Sequence, residues 1–143
     1  MSSKGLEVFD RTVQESHAWV NELAERLDWV SHRDALRILR SVLHLVRDHL
    51  PNNEIAQFSA QLPILIRGMF FEGWQPKKTP IDAPLATQFI AEIERQVGEV
   101  LDYRGPEDIV TVLKLINARI SRGEVEDVRA NLPAELRAFW PAP

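Results

Sequence analysis

Four arginines and a histidine carry the densest chemistry in this sequence. Arg33, Arg37, Arg40, His44 and Arg47 follow one another at spacings of 4, 3, 4 and 3, which places all five on one face of a helix. A row of guanidinium groups could track phosphates or hold another anion. A solvated polar face opposite an apolar one explains the same pattern without a ligand. No aromatic residue interleaves the row, and the net charge is −4, so the chain lacks the basic footprint of a general nucleic-acid binder. Nucleic acid is therefore the alternative partner rather than the expected one.

The other reactive side chains are sparse. Of His17, His32, His44 and His49, His44 has an acid, Asp48, at i, i+4 on the same predicted helix. One such pair does not make a metal site, and no HExxH run is present. The absence of cysteine removes thiolate nucleophiles, zinc–thiolate sites and disulfides. No GxGxxG, GxxxxGK[ST] or GxSxG motif occurs, and no carboxylate pair is marked out as general acid and base. The expectation is a non-catalytic module without cofactor or metal. An enzyme or small-ligand protein with a site between two halves remains the second alternative.

The elements that position these residues follow from apolar periodicity. Val13, Trp19, Val20, Leu23, Ala24 and Leu27 predict a helix over 8–27. Ser31 suits an N-cap, and Ala35, Ile38, Leu39, Val42, Leu45 and Val46 line a second helix to about Leu50. A short helix is expected over Glu54 to Gln61, then another with Pro63 at its first position. Phe89, Ile90, Ile93, Val97, Val100 and Leu101 mark a further helix, and the next opens at Gly105-Pro106. Gly123 punctuates, Glu124 to Asn131 is short, and Pro133 to Trp140 closes the chain.

This order repeats. Residues 41–70 laid over 111–140 give 8 identities in 30 positions, among them Glu54/Glu124, Pro63/Pro133 and Arg67/Arg137. Earlier, Leu27-Asp28-Trp29 matches Leu101-Asp102-Tyr103 at a shift of 74. The difference of four residues is close to one helical turn, so the second helix is expected to be a turn longer in the first half. The fold class is thus all-α: a duplicated helical bundle, each unit with two long and two short helices about an approximate two-fold axis. Repeat one covers about 8–74, a proline-rich linker about 75–84, and repeat two about 85–140 of the 143 residues. At about 70 residues each, the halves are expected to share one core.

The two halves differ in ways that could matter. Arg67 and Arg137 are expected to form structural ion pairs with acids such as Glu22, Glu25, Glu54 or Glu124; a symmetric anion site is the functional alternative. The segment Ile64–Phe71 is apolar nearly all round, which fits a buried helix covered by the linker. The sharper alternative is an exposed face of Met69, Phe70, Phe71 and Trp74 that docks a protein partner or a second copy. The expected core is Trp19, Leu23, Leu39, Val42, Val46, Leu62, Ile66, Ile93, Val97, Val112, Ile116, Leu132 and Leu136.

Ala60-Gln-Leu-Pro63, then Ile66-Arg67-Gly68, Phe70-Phe71 and Gly73-Trp74, with prolines following, resembles the bacterial DUF2267 family, a domain of unknown function. Ala35 to Leu50 and Asn131-Leu-Pro133…Leu136-Arg137…Trp140 fit the same pattern, so the resemblance spans about residues 8–140. It implies a small bacterial all-α protein and brings no catalytic residue with it. Met1 to Asp10 does not read as a secretory signal, and no stretch reaches the roughly 20 apolar residues of a membrane span. The chain is expected to be cytoplasmic, with no membrane association.

Overall fold

The computed structural model describes residues 5–82 and 85–143. Eight α-helices occur in it, and no strand among the described residues: α1 (Glu7–Leu27), α2 (His32–Asp48), α3 (Asn52–Ser59), α4 (Ile64–Phe71), α5 (Ala86–Val97), α6 (Pro106–Arg119), α7 (Arg122–Ala130) and α8 (Ala134–Phe139). No helix among the described residues is long and apolar enough to cross a membrane. Residues 1–4 and Ala83-Pro84, the last belonging to the expected linker, lie outside the described residues.

Local chemistry sets the helix ends. Ser31 Oγ accepts the Asp34 N–H at 3.1 Å and starts α2. Ser121 does the same for Glu124 and starts α7, so Gly123 lies inside that helix instead of punctuating it. Pro63 and Pro133 are N-caps, not first helical residues, with nearly the same dihedrals (φ −54°, ψ 147° and φ −53°, ψ 150°). Gly105 has φ 137° just before Pro106, a conformation that L side chains rarely adopt. The buried Asp108 carboxylate accepts the Arg104 N–H at 2.7 Å and its guanidinium at 2.7 Å, while that guanidinium also reaches Leu27 O at the end of α1.

The buried apolar side chains form one continuous cluster drawn from all eight helices. All thirteen expected core residues are in it. The most extensive packing is between distant elements, α1 along α6 and α2 along α5, and the distant short helices α3 and α7 also meet. Helix α2 has 17 residues and α6 has 14, close to the one-turn difference expected. Leu101 departs from expectation: α5 ends at Val97, and Leu101 is 98% exposed in the turn beyond it.

The linker begins with a 3₁₀ turn, Pro76–Lys78. Trp74 packs on Phe71 with ring centroids 5.6 Å apart and donates Nε1–H to Thr79 Oγ1 at 3.0 Å. Ile81 N–H reaches Asp48 O at 2.7 Å, which straps the connection against the end of α2.

Candidate functional site

The arginine face of α2 is mostly spent within the fold. Arg47 is buried; its Nη1 donates to Phe70 O at 2.7 Å and Glu72 O at 2.8 Å, and its Nε to Asp48 Oδ1 at 2.8 Å. Those carbonyls are the orphan acceptors at the C-terminal end of α4, where a cation is also favoured by the helix dipole. His44 joins the same clamp, its Nε2 2.7 Å from Met69 O. Since a carbonyl only accepts, Nε2 carries the hydrogen. Burial holds the His44 pKa below the ordinary imidazole value, and the nearby Arg47 and Arg40 add to that. Arg40 pairs with the Glu72 carboxylate at 2.7 Å, and Arg37 pairs with Glu99 and donates to Gln96 O at 2.9 Å at the end of α5. The row therefore splits. His44 and Arg47 hold the end of α4, so the reading of the whole row as a solvated face does not hold for them. Arg33, Arg37 and Arg40 remain at the surface.

Among the described residues Arg67 and Arg137 form no ion pair, so the expected pairing with an acid is corrected. Arg67 donates to Ser59 O at 2.9 Å, Leu62 O at 3.1 Å and Ala60 O at 3.4 Å. Arg137 donates to Arg129 O at 2.8 Å, Leu132 O at 3.0 Å and Ala130 O at 3.3 Å. Each guanidinium closes the C-terminal end of the short helix before it, at acceptors seventy residues apart. Glu22, one proposed partner, instead joins Arg26 and Arg119 at 2.7 and 2.8 Å.

The structure bears mostly toward the expected burial of this helix and against the alternative of an open face at Met69, Phe70, Phe71 and Trp74, of which Met69 alone lines a surface groove. Phe70 is fully buried, stacked near Phe58 and Phe71, and Phe71 and Trp74 are half-buried against the core. Nor is α4 wholly covered. Its first turn is open, with Ile64 54% and Leu65 43% exposed. The side chains that face out are one turn upstream of the alternative patch, because Ile66 and Phe70 take the core-facing positions at i, i+4.

That open turn borders a groove between α1, α2 and α4. Val13, Val20, Leu36, Leu65, Ile66 and Met69 give it an apolar wall, and its volume is about 310 Å³. His17, His32 and Arg33 stand at its polar margin. Ser16, buried on α1, also lines it, and its hydroxyl has no hydrogen-bond partner among the described residues. Leu6, the N-cap of α1, and Val8 and Phe9 in its first turn leave further apolar surface exposed. A second cleft of about 410 Å³ lies alongside, lined by Arg33, Leu36, Arg37, Arg40, Ser41, His44 and Gln96. Arg33 and Leu36 belong to both clefts. No carboxylate lines either one, although Glu72 and Glu99 pair with two of the arginines from the rim.

Sequence reading missed the groove because its wall is drawn from three helices. Val13 reads as an inner-face residue by spacing, yet it is 44% exposed since α1 runs past the end of the core at its N-terminal turns. A usable signal existed in Leu65: the matching position in α8 is Glu135, a residue type suited to solvent. The chain matches no curated protein. It does match the model of an uncharacterised conserved protein family, DUF2267, over residues 16–139, and it belongs to that family.

Proposed function

We propose that the protein is a non-catalytic interaction module that seats an amphipathic helical segment of a partner protein in the groove between α1, α2 and α4. The observation that carries this reading is the continuity of the two clefts through Arg33 and Leu36. An apolar wall beside a cationic one suits a segment with an apolar stripe and an acidic flank. Val13 and Leu65 supply contact area, Arg33, Arg37 and Arg40 supply charge, and the Arg37–Glu99 and Arg40–Glu72 pairs are exposed enough to exchange partners at small cost.

A display selection of random helical peptides, followed by fluorescence polarisation, tests the proposal. Selected sequences should carry apolar residues at i, i+3/i+4 and i+7 with Asp or Glu alongside. Their binding should fall at least tenfold in Leu65→Asp and in Arg33→Glu. Enrichment of sequences with neither feature would overturn the reading. Self-association through the same groove would show as a dimer in sedimentation that Leu65→Asp dissolves.

The cationic cleft supports a second reading, binding of a small or polymeric anion by Arg33, Arg37 and Arg40. A salt-sensitive gel shift that survives Arg37→Glu and Arg40→Glu would sink it.

We also infer that the architecture is a duplication, with units at about 8–74 and 85–140 joined by the linker. Three features support this. The α1–α6 and α2–α5 packings exchange under a two-fold that maps α1 to α5 and α2 to α6. Arg67 and Arg137 make the same three bonds. Asn117, seventy residues after Arg47, likewise reaches the chain beyond its last helix, at Pro141 O, 2.9 Å.

A further inference from the structure

A two-fold axis has a chemical consequence for any charged residue near it: the residue meets its own counterpart. Helices α3 and α7 pack against each other, and there Glu54 faces Glu124, the pair that the shift of seventy superimposes. Glu54 is 4% exposed and Glu124 8%. Asp127, one turn along α7 from Glu124, brings a third carboxylate from the solvent side. One oxygen of each of the three lies within 4.8 Å of the others.

The charges in this cluster are not compensated by protein groups. None of the three acids has an arginine, lysine or histidine in salt-bridge range among the described residues. Asn131 Nδ2 offers Glu54 Oε2 one long contact at 3.4 Å. Glu54 Oε1 and Glu124 Oε2 are buried and meet no donor group among the described residues, while the Glu54 and Glu124 carboxyls lie within hydrogen-bonding reach of each other. Two buried carboxylates at this separation do not both ionise without a compensating charge. Either a proton or a cation must sit between them.

We propose that Glu54, Glu124 and Asp127 bind one divalent cation at the α3–α7 joint. The donor set is oxygen only, which selects hard ions such as Ca²⁺, Mg²⁺ or Mn²⁺ over zinc or copper. The exposed Asp127 leaves room for water ligands, which all three of these ions accept. The ion would staple the two short helices where the halves meet. Its role is structural and does not depend on the groove between α1, α2 and α4.

The test uses the full chain, stripped of metal with chelator and held at pH 8. CaCl2, MgCl2 and MnCl2 are added separately and the melting temperature is followed. One of them should raise it saturably, by about 5 °C or more at a hundred times its dissociation constant, with one ion per chain by calorimetry. Asp127→Asn, a surface change that leaves the buried pair intact, should weaken the ion at least tenfold. Glu54→Gln with Glu124→Gln should abolish the response and give a metal-free chain at least as stable as the unsubstituted one. No saturable shift with any of the three ions, or an equal shift in the double variant, overturns the proposal. A stability that responds to pH but to no cation overturns it in favour of a shared proton.

Discussion

At the residue scale, the energetic oddity of this protein is Glu124. Burial, then the carboxyl of Glu54, then Asp127 push its pKa up to about 7. An acid whose pKa is raised on folding binds its proton more tightly in the native state than in the unfolded chain. Its contribution is therefore fully present below the unfolded value, near 4.5, and is lost as pH rises through about 7. In metal-free buffer, urea unfolding should show stability falling between about pH 4.5 and 7, and Glu124→Gln should flatten that fall. Arg67 and Arg137 give the opposite kind of contribution, because they satisfy carbonyls and compensate no charge. Replacing either with Met should cost about 1 kcal/mol, more for the half-buried Arg67 than for the exposed Arg137. The loss should be the same in phosphate and chloride buffers, as no anion site is being removed.

At the scale of elements, α2 organises the molecule. One face packs the core with Ile38, Leu39, Val42 and Val46. Another uses Arg47, His44 and Arg40 to hold the end of α4, an eight-residue helix too short to persist unaided. Arg47→Ala removes the donor for two carbonyls and leaves Asp48 unpaired, so denaturation should show a loss of about 2–4 kcal/mol. Arg33→Ala, on the same row but facing the cleft, should change stability by less than about 0.5 kcal/mol while weakening any peptide that the groove binds. Spacing alone puts these two arginines in the same class. What separates them is the position of α4, which spacing does not encode.

At the scale of the whole molecule, the largest contacts join elements far apart in sequence, α1 with α6 and α2 with α5. Each half on its own would leave the inner faces of its long helices open to water. Segments 1–78 and 79–143, expressed separately, should show no cooperative thermal transition by circular dichroism, and mixing them should restore one. Helix type, order and approximate ends were legible in the sequence because apolar periodicity, serine caps and proline positions act locally. The expected core was legible largely for the same reason, since a residue at i, i+3 and i+4 of an amphipathic stripe is buried wherever another helix covers it; Val13, on the stripe of α1 beyond the core, is not. The identity of Glu54 and Glu124 was legible too, but its meaning was not. Whether these two acids lie far apart or face each other depends on how α3 packs against α7. In the same way, the open first turn of α4, the buried end at Phe70 and the division of the arginine row follow from which surfaces the remaining helices cover. Local pattern determined the elements and their inner faces, because each stripe must be buried somewhere. Only the packing of α3 on α7 and of α4 beside α1 and α2 decided which charges meet and which apolar side chains stay in water.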